Sequence, residues 1–550
     1  MGLSVLTTSA FAQMTDADTC DEDDPTRCEE RESRTSDPLK TIYPYKPFST
    51  AEINARLTKI YEGSNYLNNI YEIDRRGLTR ANTRVQPWGG SFWPVYQGGI
   101  ASSYQEIDSE IFVTTLMRNL RWQSNVNNYK KRVEKLHPRI NELDEKELSK
   151  LSPSEKYDII IGDTSFDLTN RVWEYTENRG SKKNWGFLAS IDMPSEGYRL
   201  PDASQFMAFW EGICHGWALG AGFIPRPEHT VNIQLPNGKN MAVYPSDIMA
   251  LSSQVWANSD LQDNVIFEGN RCNKKNPDKD KLGRYIDTEI DVIAGDKTVE
   301  PRCADTHPAV FHVGVINVMG VEGRPITYDH NPKMAIANQP MSGYEFSYFN
   351  PESGKEGGLR ESMIPRYKYA KDPYAVSRNP EAVFIVGVEM NAKYIDWELP
   401  KKKETSKPSD DKVVDNKFMY DLEIDQYGRI VGGQWRVSKK GKPEFLGKQS
   451  TNQPDYFWLA PRNYKQYFQP VATLPKWSGR GLAPREFLAE AQKGHAYVRN
   501  MNSKRGGHKK CMVMPLDKKN PVLEVDCEFN EPRPRPLINV VDRLTELSRQ

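Results

Sequence analysis

Seven cysteines occur in this chain of 550 residues, and six of them form pairs that lie close together in the sequence. The seventh, Cys214, lies in an aromatic and glycine-rich run at residues 209–218 and has no such neighbour. An unpaired cysteine in a chain rich in disulfides is a candidate reactive thiol. The thiolate is the nucleophile, and a helix N-terminus or a nearby imidazolium stabilises it. The predicted disulfides join Cys20 to Cys28, Cys272 to Cys303 and Cys511 to Cys527.

A thiol nucleophile needs a base, which is most often a histidine oriented by a carboxylate or an amide. His312 is predicted to lie at the start of a strand over residues 310–319, and Asp329 follows seventeen residues later. Asp329 is predicted to end a partner strand over residues 325–329. Two antiparallel strands joined by a short turn would bring both side chains to one end of the hairpin. The order Cys, His, Asp is that of papain-like and transglutaminase-like sites.

Three other histidines compete with His312 for the role of base. His215 directly follows Cys214, and its ring is expected to point elsewhere on the helix. His330 lies beside Asp329, and His307 with Asp305 is the second pair to test. Taken singly, a buried cysteine is more often a core residue, and an aspartate is more often a turn residue.

The elements that must position these residues are a short helix and several strands. A helix that begins near Ile213 would place Cys214 in its first turn, where backbone N–H groups can hold an oxyanion. Gly212 would let a substrate backbone come close. Other helices are predicted at 50–75, with a capping box near Ser49, at 110–150 and at 244–256. Further strands are predicted at 231–244, around a turn at Asn237-Gly238, at 382–397 and at 418–435.

Composition and length set the broad organisation. Lys+Arg and Asp+Glu number 74 each, which gives no reason to propose a nucleic-acid partner. No apolar stretch approaches the roughly 20 residues that cross a bilayer. Ala10-Phe11-Ala12 has the form of a signal-peptidase site, so a secreted or periplasmic protein is expected. The predicted regions are a signal-peptide remnant and acidic tail (1–40), a mostly helical region (41–200), a catalytic core with a β-rich C-terminal part (201–470) and a small extension (471–550).

Four ordered motifs resemble a known family, the oomycete transglutaminase elicitors. Residues 336–346 (IANQPMSGYEF) resemble that family's surface peptide, whose core is WNQPVRG, although Ala337 stands where the family has tryptophan. The other three motifs are residues 86–97 (QPWGGSFWPVYQ), residues 210–218 (WEGICHGWA), which resemble the nucleophile motif, and residues 428–435 (GRIVGGQW) followed by 454–459 (PDYFWL). The resemblance spans about residues 45–470, and the chain resembles a bacterial or related homologue.

The resemblance implies an α+β fold with a papain/transglutaminase-like core. In that core, a helix-borne cysteine packs on an antiparallel sheet that carries the histidine and the aspartate. It also implies a secreted protein-glutamine γ-glutamyltransferase with Cys214 as nucleophile, His312 as base and Asp329 as its orienter. Protein substrates would present accessible glutamine and lysine. Gln205, Trp210 and an upstream tryptophan are candidates for the second oxyanion donor.

Two alternatives stay open on the sequence alone. The same triad would serve a cysteine protease or a glutamine deamidase, because an amine or water can resolve a thioester. A non-catalytic protein that recognises a host surface belongs to a different class. The chemistry requires no cofactor, and calcium is a candidate only by analogy with other transglutaminases, since no loop of EF-hand form occurs in the sequence.

Overall fold

A computed structural model describes residues 48–108, 115–174, 176, 211–259, 261, 264–269, 306–329, 336–436, 453–493, 499–500, 510–513, 523–526 and 536–550. In these residues helices pack on an antiparallel sheet, which confirms the α+β class. Residues 167–174 are also helical. The named helices are α1 (Thr50–Tyr61), α2 (Ile70–Arg75), α3 (Thr115–Lys135), α4 (Glu145–Leu148), α5 (Pro153–Ile160), α6 (Cys214–Gly220), α7 (Pro245–Ala257), α8 (Pro308–Val315), α9 (Leu359–Ser362), α10 (Arg485–Lys493) and α11 (Leu537–Leu547).

Ten strands of the described chain form the main sheet, and every pairing in it is antiparallel. The named strands of the described chain are β1 (Arg80–Asn82), β2 (Val231–Gln234), β3 (Asn240–Val243), β4 (Ile266–Gly269), β5 (Thr327–Asp329), β6 (Asn338–Phe349), β7 (Glu356–Gly357), β8 (Ile364–Pro365), β9 (Phe384–Ile395), β10 (Val413–Ile424), β11 (Ile430–Trp435), β12 (Tyr456–Leu459), β13 (Arg499–Asn500), β14 (Lys510–Val513) and β15 (Leu523–Asp526). The main path of the sheet runs in the order β11-β10-β9-β6-β5-β12-β4, with β1 and β7 added beside β6 and β8 beside β9.

Two apolar cores lie on the two sides of this sheet. The first contains α1 and α8 packed on the long strands β6, β9 and β10, with Phe311 and Phe418 among its buried rings. The second contains α5, α7 and the hairpin β2–β3. The last helix, α11, packs on α7 and buries Leu537 and Leu544 in that second core. The boundary at residue 471 stays a prediction, but the final helix shares its core with residues of the 201–470 region.

Several local predictions are confirmed, because each rested on a specific local signal. Ser49 caps α1, and its hydroxyl accepts from the Glu52 backbone N–H at 3.2 Å in a capping box. Gly238 has φ of +82° in the turn between β2 and β3. The helix after Tyr244, the strand over residues 382–397 and the hairpin over 418–435 correspond to α7, β9 and β10–β11. The helix predicted at 50–75 is divided into α1 and α2.

The strand predicted over residues 310–319 is wrong. Residues Pro308–Val315 form α8, which continues into a π-helical turn at Ile316–Val321. Every residue of α8 is buried, so the segment is apolar on all sides and shows no amphipathic period. A short, fully buried apolar run cannot be assigned to helix or strand from periodicity alone. Because His312 lies on this helix, the hairpin that was to bring it beside Asp329 does not exist.

Candidate active site

Cys214 is the first residue of α6, as the prediction of a helix start at Ile213 requires. It is a free thiol, and the residue is only 8% exposed. Gly216, two residues further on, lets α6 lie directly against α7. A Cβ at that position would lie 2.1 Å from the Ser253 carbonyl oxygen and 2.6 Å from the Ala257 backbone nitrogen. The depth at which the thiol is buried therefore depends on α7.

A buried ion pair fixes the start of α7. Lys156 Nζ lies 2.6 Å from Asp247 Oδ2, and neither side chain is exposed. Asp247 also accepts from the Tyr244 backbone N–H at 2.8 Å and from the Tyr104 hydroxyl at 2.7 Å. The charge of Lys156 and these hydrogen bonds compensate the cost of burying the carboxylate, and the ion pair joins α5 to α7. The helix that supports the thiol is thus anchored by charge as well as by apolar packing.

Strands β5 and β6 bring Asp329 and Asn338 to the thiol. The two residues are cross-strand partners, so their side chains lie on the same face of the sheet. Asn338 Nδ2 donates to Cys214 Sγ at 3.5 Å. Asp329 is fully buried, and its Oδ2 accepts from the Ala337 backbone N–H at 3.0 Å. The structure therefore places the Asp329 carboxylate near enough to act electrostatically on the Cys214 thiol, and it adds an amide that the sequence reasoning had not assigned.

The electrostatic balance at the thiol has opposing causes. Burial raises the pKa of Cys214, because it disfavours the charged thiolate, and the Asp329 carboxylate raises that pKa further. The side-chain amide of Asn338 lowers the pKa, as do the backbone amides of Asn338 and His215. The described surroundings thus supply hydrogen-bond donors that favour the thiolate, against the burial and the carboxylate that oppose it.

His312 does not belong to this group of residues. It lies on α8 and is fully buried, with its Nδ1 2.8 Å from the Tyr420 hydroxyl and its ring against Phe346 at 4.9 Å. Its Nε2 has no hydrogen-bond partner within the described ranges. Burial lowers the pKa of His312 to about 3, so the imidazole is neutral at physiological pH. It has the environment of a core residue.

The sheet itself separates His312 from the thiol. Tyr420, which is bonded to His312, and Phe418 lie two residues apart on β10, so their side chains share one face of the sheet. Tyr328 contacts Phe418 and therefore lies on that same face, on which His312 packs. Asp329 directly follows Tyr328 on β5, and successive residues of a strand point to opposite faces. Asp329 and Cys214 therefore lie on one face of the sheet and the histidine lies on the other.

The rival histidines differ in position. The His215 side chain is bonded to the backbone of Ala257, which confirms that it points away from the thiol. His307 caps α8, where its Nδ1 accepts from the Ala309 backbone N–H at 3.3 Å. His330, Asp305 and the proposed oxyanion donors Gln205 and Trp210 lie outside the described residues, as do the side chains of the six cysteines in the predicted disulfides.

Apolar side chains pack around the thiol. Phe92 packs on Cys214, with Ile336, Trp397 and Leu399 beside them. The Phe92 carbonyl oxygen accepts from the Ile213 backbone N–H at 2.7 Å. A Cβ on Gly212 would lie 2.2 Å from that same oxygen, so the glycine makes room for the chain at Phe92. This replaces the prediction that Gly212 admits a substrate backbone.

A model of the transglutaminase elicitor family matches residues 150–464. The chain belongs to the transglutaminase elicitor family. Among solved structures it is similar to the GP42 transglutaminase from Phytophthora sojae, with 17% sequence identity, 79% of this chain and 95% of that chain covered, and a TM-score of 0.43. No curated protein sequence matches the chain.

Residues from three of the four motifs, and from the segment that follows the fourth, lie at Cys214 or at the Asn338 amide that is bonded to it. Phe92 comes from the first motif, the thiol from the second, Asn338 from the third and Trp458 from the segment that follows the fourth. Sequence reasoning missed the roles of Phe92 and Asn338, although both lie in motifs it had singled out. The third motif was compared with a surface peptide. In this family member it is mostly buried, because residues 338–346 belong to β6.

No helix in the described residues is long and apolar enough to span a bilayer. Across the same residues, no group of three or more histidine, cysteine, aspartate or glutamate side chains is placed to hold a metal ion. Calcium dependence stays a prediction to be tested on the protein itself.

Proposed function

We propose that this protein is a protein-glutamine γ-glutamyltransferase with Cys214 as its nucleophile. The observation that carries the proposal is the free thiol of Cys214 at the start of α6, bonded by the Asn338 amide and close to Asp329. Membership of the transglutaminase elicitor family supports the same reaction class. His312 is left out of the proposed site, because its Nδ1 is bonded to the Tyr420 hydroxyl on the other face of the sheet.

In the proposed reaction the Cys214 thiolate attacks the carboxamide carbon of a substrate glutamine. The C–N bond then breaks, and ammonia leaves after it takes up a proton from the general acid. The resulting thioester is attacked by a lysine ε-amine, which loses a proton to the base left by that general acid as the C–S bond breaks. The products are an isopeptide bond and the regenerated thiolate.

The surroundings of the thiol support an amine over water as the second substrate. Phe92 and the partly buried Ile336, Trp397 and Leu399 form an apolar wall around Cys214. Exclusion of water protects a reactive acyl intermediate from hydrolysis. A lysine side chain can lay its aliphatic stem along such a wall and present its nitrogen to the thioester.

The remaining assignments form part of the same proposal. Protein substrates with accessible glutamine and lysine side chains are the expected partners, and the signal-like segment at Ala10-Phe11-Ala12 supports export to the periplasm or the outside of the cell. The chemistry needs only the side chains of the protein, so calcium would act on stability or regulation if it binds.

The test is incubation with a labelled primary amine and a casein-like acceptor, with incorporation, ammonia release and peptide cleavage measured together. Wild-type protein should incorporate the amine and release ammonia without cleaving the acceptor, and Cys214→Ala should abolish both signals while its circular dichroism spectrum is unchanged. Ammonia release without incorporation would identify a deamidase, and cleavage would identify a protease. Full activity in Cys214→Ala would overturn the proposal.

A further inference from the structure

The side-chain amide of Asn338 is held at both of its ends. Its Oδ1 accepts from the Trp458 indole Nε1 at 3.0 Å and from the Tyr456 hydroxyl at 3.2 Å. Its Nδ2 lies 3.5 Å from the Cys214 sulfur. Asn338 is only 7% exposed, so these protein groups form most of its surroundings.

The chemistry of the partners decides which end of the amide faces the thiol. An indole N–H is a donor and never an acceptor, so the amide atom opposite Trp458 must be the oxygen. The nitrogen is then left to face Cys214. The reverse orientation would set two N–H donors against each other in a buried site, which costs free energy. The amide therefore presents its N–H to the sulfur in a fixed direction.

The three strands beneath the thiol hold this arrangement in place. Asp329 on β5 pairs with Asn338 on β6 and with Tyr456 on β12. Trp458 lies two residues beyond Tyr456, so both side chains lie on the face that carries Asn338. The amide is thus attached to the rigid sheet, whereas the thiol is attached to the helix that packs on it.

The charges at the site make a neutral donor useful. The Asp329 carboxylate lies close enough to Cys214 to oppose formation of a second negative charge, and burial opposes it as well. An N–H that points at the sulfur favours the thiolate without adding a charge that must itself be compensated. It also avoids a cation that would pair with Asp329 in place of the sulfur.

We propose that Asn338 is a catalytic residue that stabilises the Cys214 thiolate through an N–H···S hydrogen bond, and that Trp458 is the positioning residue that orients its amide. This inference deepens the proposed function, because it assigns a further group to the same site. When the thiol ionises, its proton leaves to the general base or to water, and the Asn338 amide keeps both of its hydrogens. No other bond changes in this step.

The test is the pH profile of Cys214 alkylation by iodoacetamide, with the modified peptide quantified by mass spectrometry. In Asn338→Ala the midpoint should rise by about one to two pH units, and the alkylation rate at pH 7 should fall about tenfold or more. Asn338→Asp keeps the shape but turns an oxygen to the sulfur, so its midpoint should rise at least as far. Trp458→Phe should shift the midpoint in the same direction by less.

Gln339→Ala is the matched control. It removes the neighbouring amide of β6, which donates to Asp396 at 3.2 Å, and it should leave the midpoint unchanged. An unchanged midpoint in Asn338→Asp would overturn the inference even if Asn338→Ala did not fold. Alkylation needs neither glutamine nor amine, so the two proposals fail separately. A shifted midpoint in a protein without amine incorporation would retain Asn338 and reject the transferase. Amine incorporation by the wild-type protein, with an unshifted midpoint in the Asn338 variants, would retain the transferase and reject the role of Asn338.

Discussion

The two faces of the central sheet differ in how their buried polar side chains are hydrogen-bonded. On the thiol face, Asn338 is bonded to Cys214, Tyr456 and Trp458, so a small polar network surrounds a reactive atom. On the other face, His312 is bonded to Tyr420 alone among the described residues and is otherwise packed in the apolar core. The spacing between His312 and Asp329 did not reveal this difference, because His312 lies on the helix α8 and not on a strand.

The largest contrast should come from a matched pair of histidine variants. His330 directly follows Asp329 in the sequence, whereas His312 lies on the far face. If the base is supplied next to Asp329, His330→Gln should lower kcat/KM for amine incorporation by roughly a thousandfold, in the range expected for a lost general base. His312→Gln should leave the activity of the folded fraction unchanged. The reverse result would restore His312 as the base and contradict the separation of the faces.

The next effect should come from Asp329 itself. Asp329→Asn keeps an oxygen that can accept from the Ala337 N–H but removes the negative charge beside the thiol. If the carboxylate orients the base, amine incorporation should fall by about a hundredfold or more. Alkylation of Cys214 should at the same time begin at lower pH, because the opposing charge is gone. Unchanged activity in this variant would mean that Asp329 is purely structural.

A smaller loss should follow from crowding the helix that carries the thiol. In Gly216→Ala the new methyl group would press on the Ser253 carbonyl and on Ala257. Such overpacking costs about 1–3 kcal/mol, and a displaced Cys214 should lower kcat about tenfold or more. Gly63→Ala is the control, since a Cβ there meets no atom within 4 Å. Equal thermal midpoints for the two variants would show that α6 has room to move.

On the far face, mutation should change stability and leave activity alone. Tyr420→Phe removes the hydrogen-bond partner that His312 has among the described residues, which should cost about 1–3 kcal/mol of unfolding free energy in urea. The double variant His312→Leu with Tyr420→Phe should recover part of that loss, because no polar atom is then left unpaired. Simple additivity of the two changes would argue against the bond.

The smallest expected effect concerns how the free energy of unfolding depends on pH. The double variant His312→Leu with Tyr420→Phe should reduce this dependence. Burial lowers the pKa of His312 to about 3, while in the unfolded chain it is near 6.5. Between these values the unfolded state binds the proton and the folded state does not, so stability falls as pH falls. At pH 5.5 the loss from this histidine is about 1.4 kcal/mol relative to pH 7.5. Urea titrations at both pH values should show a loss smaller by that amount in the double variant.

What the sequence could predict depended on how local each signal was. Cys214 was found by its lack of a cysteine partner, and its place at a helix start needed only the residues around it. The capping box at Ser49 and the turn at Gly238 are equally local. In each of these cases the residues that determine the structure lie within a few positions of one another.

The remaining features depend on contacts between distant segments. Residues 310–319 are buried on all sides, so their apolar pattern could not distinguish a helix from a strand. Because a strand was predicted there, the predicted position of His312 was wrong as well. Asn338 becomes a donor to the thiol only when β5, β6 and β12 lie side by side. Nothing in its immediate sequence indicates that Trp458, 120 residues away, fixes its amide.

The burial of β6 has a consequence for recognition of this molecule by other proteins. Residues 337–344 and Phe346 are buried, while Glu345 is exposed. An antibody raised against a synthetic peptide of residues 336–346 should therefore bind denatured or proteolysed protein in preference to the native chain. A protein that binds this segment would likewise respond to denatured or cleaved molecules and not to the native fold.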